Sequence, residues 1–203
     1  MFLDYQNVYK GARETFGTEA DDYTFGQIYP RRLGLLLCDR GRPIDPDREL
    51  ELVRVFRGAP SSKHNPRGQA ACQRQVDEWN SQARVEAVTR PLKYYLAGWT
   101  ASGDQQWTAR EKGIDVLIAL SMLAGAINDE YDVAILMSGD SDLVPAIEQV
   151  LALGKRCEVA SWSSADRKRG RITVPGHKVW CHWLDEGDYQ HVSDPNDYAT
   201  PRG

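Results

Sequence analysis

Val133-Ala134-Ile135-Leu136-Met137-Ser138-Gly139-Asp140-Ser141-Asp142 is the stretch that decides how this chain folds. Its five leading apolar residues do not alternate with polar ones, which describes a strand covered on both faces. Leu143 to Leu153, with Gly154 as its stop, reads as the next helix, and Arg156 to Ala160 as another strand. Strand, helix and strand in that order make a parallel unit with a right-handed crossover. Asp140 and Asp142 then sit where a buried strand turns into a helix. In an open α/β sheet, ligands bind just outside the carboxyl ends of the strands.

Phe2 to Leu3 forms a very short first strand ending at Asp4, and Leu50 to Phe56 alternates apolar and charged residues as a strand does. Gln69 to Val88, apolar at Ala70, Val76, Trp79, Ala83 and Ala87, predicts an amphipathic surface helix. Leu92 to Leu96 reads as a strand, followed by a turn-rich segment, Thr100 to Gln106. Ile114 to Ile127 is the densest apolar helix, expected to be largely buried. A last strand falls near Lys178 to Leu184. Leu33 to Leu37 belongs to a helix and Asp39 to Asp47 to a loop. Residues 1–188 form one α/β domain and residues 189–203 a flexible tail.

The 203 residues, 41% hydrophobic and 27% charged, have the composition of a soluble globular protein. No apolar run approaches the roughly 18 residues that cross a bilayer, and Met1-Phe2-Leu3-Asp4 lacks the features of a signal peptide. The expected compartment is the cytoplasm, with no membrane partner. Cys38, Cys72, Cys157 and Cys181 are scattered and form no zinc-ligand pairs, so reduced, buried thiols are expected. With a net charge of −4, nucleic-acid contact has to come from local patches such as Arg167-Lys168-Arg169-Gly170-Arg171, which reads equally well as a solvated loop.

Four aspartates, Asp4, Asp115, Asp140 and Asp142, can converge at one sheet edge. There they would repel one another unless a cation lay among them. Hard oxygen ligands without nearby His or Cys favour Mg²⁺ or Mn²⁺ over zinc. Each acid also has a simpler explanation. Asp4 or Asn7 can cap the helix after the first strand, and Asp140 or Ser141 the helix containing Pro145. Asp115 can rest on the positive end of its own helix or pair with Arg110 or Lys112.

Phe2-Leu3-Asp4-Tyr5-Gln6-Asn7-Val8-Tyr9-Lys10-Gly11 resembles the opening of NYN-domain proteins, a bacterial branch of the PIN-like nuclease superfamily. Lys112-Gly113-Ile114-Asp115-Val116 resembles their second motif. Ser138-Gly139-Asp140-Ser141-Asp142 with Leu143-Val144-Pro145 resembles the third, and the likeness extends over most of residues 1–185. The resemblance implies a three-layer α/β/α sandwich around a mainly parallel, Rossmann-like sheet. It implies a metal-dependent ribonuclease in which Asp4, Asp115, Asp140 and Asp142 are the catalytic, metal-binding set. Asn7 becomes an orienting neighbour, and Ser138 and Ser141 phosphate contacts. RNA is then the partner, and a homodimer a form the chain can take.

Lys112, Arg110 and Lys155 are candidate phosphate contacts, and Trp107, Trp99 or Tyr5 can stack on unpaired bases. Two other readings stay open. One is a module that keeps the acidic pocket and binds RNA or protein without cutting. The other is a phosphatase or phosphotransferase acting on small phosphate esters, and against a covalent phosphatase Gln6 stands where a second acid would follow Asp4.

Overall fold

The computed structural model describes residues 1–166 and 171–200. Along the chain run β1 (Phe2–Asp4), α1 (Tyr5–Phe16), α2 (Pro30–Gly41), β2 (Val53–Ala59), α3 (Pro66–Asn80) and β3 (Val85–Pro91). There follow β4 (Lys93–Trp99), β5 (Gln105–Arg110), α4 (Ile114–Ile127) and β6 (Val133–Met137). A 3₁₀ turn (Ser141–Leu143), α5 (Val144–Ala152), β7 (Arg156–Trp162), β8 (Trp180–Leu184) and α6 (Glu186–Val192) complete the order. Six strands form one sheet in the order β3-β2-β1-β6-β7-β8, every neighbouring pair parallel. This is the expected three-layer α/β/α sandwich.

Strand alternation sorts the core into two layers. Leu3, Val55, Ile135, Met137, Ala160 and Trp162 point to the face covered by α1, α2, α3 and α6. Phe2, Phe56, Ala134, Leu136 and Val159 point to the opposite face, under α4 and α5. Although β1 has only three residues, it lies mid-sheet and pairs on both sides, Phe2 with Arg54 and with Leu136. The four cysteines are free and buried.

Several expectations need correction. The helix from Gln69 stops at Asn80, and Val85–Pro91 is instead a strand paired along its whole length with β2. The break is at Arg84, whose φ of 63° no helix tolerates and whose guanidinium donates to the Leu50 carbonyl. Gln105–Arg110, expected to begin within a turn, is a strand that pairs antiparallel with β4 apart from the main sheet. α2 extends through Gly41, into the segment expected as a loop. α4 is buried along one side only, leaving Val116 (55%), Leu120 (58%) and Ile127 (69%) exposed. The stretch expected as a loose tail begins inside α6 and packs down: Tyr189, Val192, Asp194 and Tyr198 are buried, and the Tyr189 hydroxyl accepts from the Gly26 amide. Of the basic run, only Arg171 lies within the described residues.

Strands β7 and β8 are tied to the loop before β2 by buried charges. Arg48 grips both oxygens of Glu158 at 2.7 and 2.8 Å, and His182 Nε2 lies 2.8 Å from the same carboxylate. Burial alone would push the Glu158 carboxyl up, but the hydrogen bonds from His182 and Arg48 win and bring it down to about 2. A depressed folded-state value adds stability above the ordinary 4.5 of an unfolded glutamate, and that stability is lost as pH falls towards 2. Glu158→Gln leaves Arg48 buried without its counter-charge. It is expected to lower stability to urea at pH 7 by about 3 kcal/mol, with the deficit narrowing as the medium is acidified through that window.

Candidate functional site

The strand order fixes where a ligand can enter. After β1 the chain moves by way of α1 and α2 to β2 and β3 on one side of the sheet. After β6 it moves through α5 to β7 and β8 on the other. The connections leaving these two neighbours diverge to opposite faces, so a crevice opens at their carboxyl ends. Asp4 ends β1, and Ser138 directly follows β6. By strand parity both side chains lie on the α4 and α5 face, with Phe2 and Leu136.

A hydrogen-bond chain joins the first and third motifs there. The Asp4 carboxylate, 6% exposed, accepts from the Asn7 amide (3.2 Å), from Asn7 Nδ2 (2.6 Å) and from Ser138 Oγ (3.0 Å). Ser138 Oγ in turn accepts from the Asp140 amide at 3.1 Å, and Asp140 Oδ1 from the Asp142 amide at 2.9 Å. A methyl group on Gly139 would lie 3.4 Å from Asn7 Oδ1, so the loop runs close against the amino end of α1. A small cavity of about 20 Å³ beside Asn7, Ser138, Gly139 and Ser161 has room for roughly one water. A larger hollow of about 750 Å³, lined among others by Asp45, Arg54, Asp132 and Arg156, opens at the opposite sheet edge and contains none of the expected site residues.

The capping roles are real. Asp4 is the N-cap of α1, and Asp140 caps the 3₁₀ turn. Asp115 lies half-buried in the first turn of α4, whose N-cap is Gly113 at φ 77°. Its helix packs over β1 and β2, on the same face as Asp4. Asp142, Ser141, Lys112 and Arg110 are exposed. Two other expectations fail. Lys155 pairs with Asp129 and Asp132 ahead of β6, at the far edge of the sheet. Tyr5 is buried edge-on against Trp79, 4.7 Å between centroids, and offers no face to a base.

Glu111 escaped the sequence reading. Its Oε1 accepts from the Gly58 amide of β2 at 2.6 Å. Burial pushes its carboxyl up and the charge of nearby Asp4 adds to the shift, against the Gly58 hydrogen bond, Arg57 and Lys10. The signal was an acid immediately before the Lys112 to Asp115 motif, but its direction is set by β5, which the pattern did not reveal.

Among the described residues, no three His, Cys, Asp or Glu side chains gather closely enough to cage a metal. The four-aspartate cage expected from sequence is therefore not assembled. Asp140 is engaged in its cap and Asp142 faces solvent. What the crevice does offer suits a hydrated hard cation. Asp4 is buried and oriented, and among the described residues none of the four aspartates is ion-paired to Lys, Arg or His. Mg²⁺ characteristically takes one or two carboxylates and keeps water on its other positions.

The parallel α/β/α sandwich is a PIN-like fold. The NYN domain family model matches residues 1–170, and the chain belongs to that family. No curated protein matches it. Among solved structures it is similar to VPA0982, a protein of unknown function from Vibrio parahaemolyticus RIMD 2210633. The two are 21% identical over 78% of this chain and 77% of that one, with a TM-score of 0.46. A fainter likeness, 15% identity and a TM-score of 0.29 over 68% of this chain and 27% of the other, is to Glycyrrhiza uralensis UGT73P12 complexed with glycyrrhetinic acid 3-O-monoglucuronide.

A carboxyl whose folded-state pKa is raised costs nothing below its unfolded value, and destabilises as pH rises through the folded one. Glu111→Gln keeps an acceptor for the Gly58 amide and removes that charge. The variant is expected to match the parent in urea midpoint near pH 4 and to exceed it at pH 7 to 8. Parallel pH profiles would show that Glu111 ionises without strain.

Proposed function

We propose that this protein hydrolyses RNA phosphodiester bonds in the crevice between β1 and β6, with Mg²⁺ or Mn²⁺ as cofactor. The observation that carries this reading is the Asp4 carboxylate: buried, held by three hydrogen bonds and, among the described residues, without an ion pair, at the topological switch point of a NYN-family sheet. Asp4 would hold the ion, with Asp115, Asp140, Asp142 and Glu111 supplying negative charge or water-mediated contacts around it. The bound cation supplies Lewis acidity towards a phosphate oxygen and lowers the pKa of water.

The chain's own groups do the remaining work. Asn7 and Ser138 fix the direction of the Asp4 carboxylate. Glu111, its carboxyl raised by burial, is the group suited to take up or return a proton. Lys112 and Arg110, exposed on the rim, meet the phosphates on either side of the scissile one, and Ser141 offers a hydroxyl to them. Cytoplasmic residence and RNA as partner belong to the same proposal, supported by four free thiols and a family of nuclease fold. So does a homodimer, for which the exposed apolar side of α4 is the available support. Among the described residues no helix is long and apolar enough to cross a membrane.

One observation favours a second reading, an RNA-binding module that does not cut: no three acidic or metal-ligating side chains are drawn together among the described residues. Turnover separates the two. With single-stranded RNA and Mn²⁺, the parent chain is expected to cleave, Asp4→Asn to fall to background, and Ser138→Ala to lose roughly 10-fold through misorientation of Asp4. Undiminished cleavage by folded Asp4→Asn contradicts the proposed site, and tight binding by the parent without any cleavage establishes the module.

A further inference from the structure

β4 and β5 stand apart from the six-stranded sheet as a two-stranded antiparallel ribbon. Such a ribbon is only marginally stable by itself, yet this one leaves large side chains in water: Tyr95 is 49% exposed, Leu96 47%, Trp99 62% and Trp107 42%. Neither strand carries Asp or Glu, and their two charges, Lys93 and Arg110, lie directly opposite each other in the first pair. A cationic, aromatic ribbon on a chain of net charge −4 is a local inversion of the protein's character.

Cross-strand partners share a face. Lys93, Arg110 and Tyr95 occupy one face, with the Arg110 guanidinium 5.9 Å from the Tyr95 ring centre. Tyr94, Leu96 and Trp107 occupy the other. Beyond an irregularity between Leu96 and Gly98, Trp99 pairs with Gln105. The base of the ribbon is anchored by His64, stacked on Tyr94 at 4.4 Å and set 4.6 Å from Trp107. β5 then leads directly into Glu111, whose carboxylate rests on Gly58 beside Asp4. The ribbon is thus rooted at the crevice and points its aromatic end away from it.

We propose that this ribbon is an arm that grips single-stranded RNA on its tryptophan face, stacking unpaired bases on Trp99 and Trp107, while the long side chains of Lys93 and Arg110, based on the opposite face, reach round the ribbon's edge to the backbone. The identity of the strand rests on the ribonuclease reading above. The ribbon's chemistry selects the occupant. Cations with no acidic partner among the described residues suit a polyanion, and exposed indole faces take any splayed base without regard to sequence. A duplex keeps its bases stacked internally and leaves the indoles nothing to hold. A second copy of the chain, docked by a two-fold axis through the cationic face, would bring Lys93 and Arg110 against their own equivalents.

The test uses the whole chain and a fluorescent 12-nucleotide oligouridylate in EDTA, where binding is read by anisotropy without turnover. Trp99→Ala, at the most exposed of these positions, is expected to weaken binding about tenfold, and Trp107→Ala similarly. Lys93→Gln with Arg110→Gln is expected to flatten the dependence of log affinity on log salt by about 1.4. Binding to a duplex of the same length is expected to be unaffected by Trp99→Ala. Unchanged oligouridylate affinity in folded Trp99→Ala and in the double variant overturns the proposal, as does a parent chain that fails to bind the oligomer. A shift in oligomeric state without a change in RNA affinity also overturns it and makes the ribbon a protein contact. Cleavage by the parent, measured separately with Mn²⁺, reports on the ribonuclease reading alone.

Discussion

A carboxylate held almost out of water, at the end of a strand three residues long, is the constraint around which this structure is organised. Removing a charge from water costs several kcal/mol unless something answers it. Three hydrogen bonds and the positive end of α1 answer Asp4 in part. The cation that a structural role would use, an arginine or lysine in contact, is missing among the described residues. Elsewhere the same protein follows the opposite rule: buried Glu158 has both Arg48 and His182. The contrast between these two buried acids, one with two basic partners and one with none among the described residues, separates a structural element from a candidate site.

Topology turns that deficit into a location. Because β1 and β6 are neighbours whose following helices pack on opposite faces, their carboxyl ends enclose a crevice that the backbone itself does not fill. Ser138 closes the gap between motifs 134 residues apart by donating to Asp4 while accepting from Asp140. Glu111 comes to the same region from a third part of the chain, carried there by β5. Membership of the NYN family and this convergence support one another. On the proposed reading, an ion here would depend on a few carboxylates and water, since among the described residues no closed cage of ligands is assembled.

The elements legible in the sequence are those whose signal is local. Val133 to Met137 is continuously apolar because it is buried on both faces, and Gly154, at φ 80°, ends the region of α5 as its type suggests. Asp4, Asp115 and the Asp140 loop were legible as positions because motifs mark them. What was missed depended on contacts from afar. The helix appeared to run past Asn80 because Ala83 and Ala87 keep its rhythm, whereas the actual turn at Arg84 is held by a carbonyl of Leu50. β5 could not be read because all six of its residues are exposed, so no burial rhythm exists in it. Tyr189 to Tyr198 resembled a tail only until Gly26 and Asp194 supplied partners for its hydroxyls. The four-acid cage rested on strand-end positions, charge and motif resemblance, none of which reports side-chain direction, and capping geometry engages part of that set.

The most direct test of the account is where a cation sits. Crystals of the parent chain soaked in Mn²⁺ and recorded at the manganese edge are expected to show an anomalous peak in direct contact with a carboxylate oxygen of Asp4, in the crevice between β1 and β6. Well-ordered density for Asp4, Asn7 and Ser138 with no manganese against them at saturating concentration would contradict it, leaving Asp4 as a helix cap and nothing more.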